Sequence, residues 1–134
     1  MRMLLSVQEV VDEYKLAGVP RIKDINGQSI PDVEQITDAI NDAQVHTLSY
    51  LRKVGINIDD ITIDTERELR RTLLSLTRYY FNSAVLGQVT EGSEILRNYE
   101  DAIDYLKNVS MGRQVLTTSK SRKSGFKILR IGVI

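Results

Sequence analysis

The chain of 134 residues has no cysteine, no tryptophan and a single histidine, His46. Without cysteine there are no disulfides and no thiolate chemistry, and a reducing compartment is permitted. With one histidine, imidazole-based metal sites and nucleophile–histidine triads have almost nothing to build on. His46 lies mid-helix beside an apolar stripe, where a structural or surface role is expected. No apolar run reaches the length of a membrane span, so neither a transmembrane helix nor a membrane partner is expected. The opening Met-Arg-Met-Leu-Leu-Ser is too short in apolar residues for a secretory signal and lacks a small-residue cleavage site. A Walker loop, a dinucleotide glycine fingerprint and a zinc-protease motif are all missing. No catalytic residue, cofactor or metal is therefore expected, and an enzymatic reading has no positive feature behind it.

Acidic residues are missing from one stretch only. Residues 117–134 hold five basic residues, Lys120, Arg122, Lys123, Lys127 and Arg130, and no acidic one. Residues 1–116 carry the other thirteen basic residues and all eighteen acidic ones, so a net charge of zero conceals a body near −5 and a tail near +5. The neutral total argues against a dedicated free nucleic-acid binder and leaves room for one basic surface facing DNA. The chain divides accordingly into a body, 1–116, and a C-terminal arm, 117–134. Ser119 to Gly125 is polar and basic, and Phe126 to Ile134 is mostly apolar with a strand-like composition. Phe126, Ile128, Leu129, Ile131 and Val133 put apolar groups on both faces of such a strand, which then needs cover on both sides. The expected arm is mobile when free and adds its strand to a partner's sheet edge. Lys120, Arg122 and Lys123 would lie along an acidic rim or DNA, while Lys127 and Arg130 guard the strand against aggregation. The alternative is an arm folded back as an edge strand on its own body.

The 42% apolar and 27% charged fractions are ordinary for a globular protein, and this length makes one domain with a real core. Four segments read as helices. Ser6 and Glu9 form a capping box for the first, about 6–16, with Val7, Val10, Val11 and Tyr14 on one face and Gly18 and Pro20 at its end. Asn26-Gly27 predicts a small hairpin within 21–31. The second helix runs from about Pro31-Asp32 to Val54 along a stripe of Val33, Ile36, Ile40, Ala43, Thr47, Tyr50 and Val54, and Gly55 stops it. Residues 56–63 read as extended. Thr65 with Glu68 caps a third helix to about Leu86, with Leu69, Leu73, Leu76 and Tyr80 inward. The fourth runs from about Gly92 to Val109, with Ala102, Ile103 and Leu106 inward and Gly112 after it. The fold class is all-α: a compact bundle of about four helices with a minor β-hairpin and an extended C-terminal arm.

Three charged clusters invite a functional reading. Asp24-Ile-Asn26-Gly27 is glycine-bearing but lacks the terminal glutamate of a calcium loop, so a turn is expected. Asp59, Asp60 and Asp64 read as carboxylates near a helix N-terminus, favoured by its dipole. Glu66, Arg67, Glu68, Arg70, Arg71 and Arg78 make one side of the third helix highly charged. That side is either a solvated face with pairs such as Glu66–Arg70 or a surface for a neighbouring subunit or DNA.

Three segments together resemble the neck proteins of Mu-type tailed phages, the small head–tail adaptor or head-completion proteins. Lys23-Asp24-Ile-Asn-Gly27 with Ile30-Pro-Asp32 is similar to the family's aspartate- and glycine-rich loop before its second helix. Arg78-Tyr79-Tyr80 is similar to its Arg-Tyr segment. Arg97-Asn-Tyr99-Glu100-Asp101-Ala102 is similar to its fourth-helix motif. The likeness covers about residues 4–116. It departs at 56–64, which is Ile/Asp-rich where relatives tend to be proline-rich, and after Thr117. The resemblance implies a structural virion protein: a homo-oligomeric ring, dodecameric in size, beneath the portal. Such a ring extends the DNA channel without sequence specificity and presents the next surface to a tail or tail-terminator protein. The location implied is the virion neck, with the host cytoplasm before assembly. The alternative from the residues alone is a small helical DNA-binding or regulatory protein that uses the third-helix arginines and the basic tail.

Overall fold

Ser6 caps the first helix as its sequence requires. Its hydroxyl accepts from Glu9 N at 3.1 Å, and the Glu9 carboxylate accepts from Ser6 N at 3.3 Å. From that box runs α1, Val7–Tyr14, closed by a 3-10 turn at Leu16–Gly18. The computed structural model describes residues 2–86 and 93–116. After α1 come β1, Arg21–Lys23, and β2, Ser29–Pro31, then α2, Val33–Leu51, α3, Ile63–Leu86, and α4, Glu94–Ser110. The architecture is all-α with one minor hairpin, as the sequence predicts.

The hairpin pairs Arg21 with Pro31, Ile22 with Ile30 and Lys23 with Ser29, antiparallel. Its turn is built on Asp24, whose carboxylate accepts from Asn26 N at 2.8 Å and Gln28 N at 2.9 Å. Gly27 supplies the positive φ of 79° that the turn needs. The aspartate therefore works as a local turn-former.

Asp32 caps α2 by accepting from Gln35 N at 3.2 Å. A 3-10 turn, Arg52–Val54, ends α2, and Gly55 follows at φ 78°. Ile56 N then donates back to Leu51 O at 3.0 Å, closing the helix end. Two expectations are corrected downstream. Residues 56–63 form no strand: Asn57 and Asp60 make a capping box around a 3-10 turn, Ile58–Asp60. The third helix starts earlier than Thr65. Thr62 Oγ1 accepts from Thr65 N at 3.4 Å, so Thr62 takes the cap position and Thr65 is buried inside the first turn. Two threonines three apart both fit a cap pattern, and burial decides between them. Ser93 caps α4, accepting from Leu96 N at 3.2 Å.

Helix α2 packs on α3 and α3 on α4, while α2 also touches α4 and α1. The seam holds Ile36, Ile40 and Leu51 from α2, Leu69, Leu73 and Leu76 from α3, and Leu106 and Val109 from α4, all buried. Ile103 is only partly buried and packs at the margin of this core. Leu4, Leu5 and Leu116 also fill the core from outside the helices. The N-terminal segment is held by Gln44, a fully buried side chain on α2. Its amide accepts from Leu4 N at 2.7 Å and donates to Arg2 O at 2.7 Å. Burying an amide is costly unless it is paired, and here both ends are paired.

Candidate functional site

Helix α3 has two chemically opposite sides. Thr65, Leu69, Thr72, Leu73, Leu76 and Thr77 turn inward and are buried. Arg67, Arg70, Arg71 and Arg78 recur at three-, four- and seven-residue steps on the outer side. They line an open groove of about 490 Å³, walled by Glu13 and Tyr14 of α1 and by Glu94 and Asn98 of α4.

The groove's arginines fall into two kinds. Arg70 is held by Glu9 at 2.6 Å, and Arg78 approaches Glu94 at 3.9 Å while its guanidinium lies 4.9 Å over the Tyr14 ring. Burial pushes the Tyr14 hydroxyl up to about 12, with Arg78 pulling the other way and Glu13 and Glu94 adding to the rise. Arg67 and Arg71 are exposed and make no ion pair within the described residues. The predicted Glu66–Arg70 pair gives way to longer-range ones. Glu66 accepts from Arg2 at 2.7 Å, and Arg70 turns to Glu9. Exposed pairs of this kind are worth ~0–1 kcal/mol. Their effect is to fix the groove's shape, and the planar guanidiniums of Arg67 and Arg71 stay available for carboxylates or phosphates.

A second cluster joins the three long helices. Tyr79 stacks on Tyr99 with centroids 3.8 Å apart. His46 stacks on Tyr50 at 5.4 Å, and its Nδ1 shares a hydrogen bond with the Tyr80 hydroxyl. Burial is the main cause raising the hydroxyl pKa values of Tyr80 and Tyr99. His46 is thus part of a packed aromatic cluster. Among the described residues no group of three or more His, Asp or Glu side chains is placed to hold a metal. Nor is any described helix long and apolar enough to cross a membrane.

The arm residues singled out by sequence, Lys120, Arg122, Lys123, Phe126, Ile128, Leu129, Arg130, Ile131 and Val133, lie outside the described residues. Sequence reasoning found the α3 arginines but missed the acidic and aromatic wall opposite them. The only signal for that wall was Glu13-Tyr14 at the end of α1, which carries no mark of its distant partner.

In comparison with known proteins, the family model described as Bacteriophage Mu, Gp36 matches residues 5–125. The chain belongs to the bacteriophage Mu Gp36 family. That places it among phage structural and morphogenesis proteins, associated with the virion. The Gp36 match takes in Lys120, Arg122 and Lys123, beyond residue 116 where the recognisable likeness in the sequence stops. No curated protein and no solved structure matches.

Proposed function

We propose that this Gp36-family chain is a structural neck component: copies form a ring that joins the head's portal to the tail and continues the DNA channel. It acts through surfaces, with no catalytic step and no cofactor. The observation that carries the reading is the family match across residues 5–125. The geometry is compatible with it. The body is a bundle stapled by the Gln44 clamp and the aromatic cluster, and its most distinctive surface is a groove with two available guanidiniums. Mixed charge in that groove suits a protein partner that carries both signs of charge better than a run of phosphates, because Glu13 and Glu94 stand in its walls. The arm, through Phe126, Ile128, Leu129, Ile131 and Val133, would add a strand to the portal or to a neighbouring copy.

The test is to truncate the chain after Leu116 and to count subunits in purified particles. We expect the full chain at the head–tail junction in ring stoichiometry. The truncated chain should remain folded, yet heads should stay unattached to tails. Absence of the chain from particles would overturn the reading. The second reading, a DNA-binding protein, draws on the four groove arginines. It requires affinity for duplex DNA that falls steeply with salt, measured by mobility shift across a salt series.

A further inference from the structure

Helix α2 carries three carboxylates, Glu34, Asp38 and Asp42, and no lysine or arginine in its 19 residues. They recur every four residues, so they share the outer face of the helix, away from the buried Ile36, Ile40 and Ala43. All three are exposed, and none makes an ion pair or a side-chain hydrogen bond among the described residues. Like charges four apart on a helix repel, so such a row gains from a cationic cover. Carboxylates on the other helices are already answered. In α1, Glu9 holds Arg70 and Asp12 accepts from the Gln8 amide at 2.8 Å, while Glu13 stands in the arginine groove. In α3 and α4 the acidic residues are interleaved with arginine and lysine. The complementary charge lies in the same chain, because residues 117–134 hold five basic residues and no acidic one. Reach sets no limit. Leu116 is anchored in the core, and a chain extends at most ~3.3–3.6 Å per residue, so Lys120 can stand about 14 Å from it and Arg130 about 50 Å. A body of this size is roughly 35 Å across.

We propose that the outer face of α2 is the docking face for this chain's own C-terminal arm, with Lys120, Arg122 and Lys123 laid along Glu34, Asp38 and Asp42 in the free chain. The lengths agree: Lys120 to Lys123 spans ~10 Å when extended, and Glu34 to Asp42 spans ~12 Å along the helix. The tether makes the encounter intramolecular, which favours the chain's own arm over a separate polycation of equal charge. Each pair is exposed and therefore weak, so the contact is a latch that salt loosens and a stronger partner for the arm displaces. It concerns the free chain and does not depend on the neck reading, which subunit counting in particles decides.

A chain without cysteine accepts a single label. Ser121→Cys in the full-length chain carries a nitroxide, and its broadening of backbone amide signals is read by NMR. In dilute buffer the amides of Glu34 to Asp42 should lose about half their intensity or more, and recover it in ~1 M salt, where screening acts over ~3 Å. Neutralising the row with Glu34→Gln, Asp38→Asn and Asp42→Asn together should also restore the signals. These are exposed positions, so the fold is kept, and helicity by circular dichroism checks this. Mixing nitroxide-bearing chains with separate isotope-labelled ones tests whether the arm reaches its own body. Broadening of the row that survives neutralisation would overturn the proposal. So would broadening centred on α4, or equal broadening when the nitroxide sits on the other copy.

Discussion

Between residues 22 and 40 the chain treats isoleucine in two opposite ways. Ile22, Ile25 and Ile30 stand in water on the hairpin, whereas Ile36 and Ile40 on α2 are sealed with no exposed surface. The side chains are the same and the distance in sequence is small. The difference lies in what each element can pack against. Ile36 and Ile40 fall on the stripe of a helix that has α3 and α4 beside it, so their burial closes a core. Among the described residues the hairpin has no third strand, and all three residues of β1 are exposed. Burying a side chain of this size is worth ~1.5–3 kcal/mol. The seam collects that contribution within one chain, and the hairpin retains it for a contact with something else.

The contrast is open to direct attack, and the largest effect belongs to the seam. Leu73→Ala and Leu106→Ala each empty a fully buried position and should cost about 2–5 kcal/mol in denaturant unfolding. Losses below ~0.5 kcal/mol at both, the size of surface effects, would mean the helix faces are misassigned. Next comes Gln44→Ala, which strands Leu4 N and Arg2 O without their partner. It should cost about 1–3 kcal/mol and speed hydrogen exchange at the Leu4 amide. Unchanged exchange there would show that the N-terminal segment is held by Leu4 and Leu5 packing alone.

A smaller change should act in the opposite direction. The Thr77 hydroxyl is buried with no hydrogen-bond partner among the described residues. Thr77→Val keeps the shape and removes the stranded polar group, so a gain of up to ~1 kcal/mol is expected by thermal unfolding. A loss would reveal a polar contact to this hydroxyl. The smallest effect on stability belongs to the hairpin tip. Ile25 is 99% exposed, so Ile25→Ser should leave denaturant unfolding within ~0.5 kcal/mol of the parent. If it destabilised the monomer instead, the tip would be packed on its own body and the contrast with Ile36 would fail.

The parts legible in the sequence were those with local causes. Ser6 with Glu9, the turn at Asn26-Gly27, and Gly55 after α2 each act within one turn of chain, so their residues announce them. The buried stripe of α3 was legible for the same reason, through its spacing. Thr62 was missed because Thr65 carries an equally good capping pattern, and only the path of the chain into the core separates them. Gln44 was hidden among the polar positions of α2 because its partners, Arg2 and Leu4, lie about forty residues away in sequence. The wall of the arginine groove was hidden likewise, since Arg70 and Glu9 or Arg78 and Tyr14 meet only after the helices have packed. Ile22, Ile25 and Ile30 looked no different from core isoleucines, as composition does not say whether a strand has neighbours.

The stack of Tyr79 on Tyr99 makes the molecule its own optical gauge. The chain has six tyrosines, two phenylalanines and no tryptophan, so the long-wavelength part of its near-ultraviolet signal belongs to tyrosine. Two phenol rings with centroids 3.8 Å apart and planes 18° from parallel couple their electronic transitions, and one ring belongs to α3 while the other belongs to α4. Circular dichroism in the tyrosine band therefore reads out whether those two helices are docked, with no label added. Tracked alongside far-ultraviolet helicity, it separates a chain whose helices have formed from one whose bundle has closed.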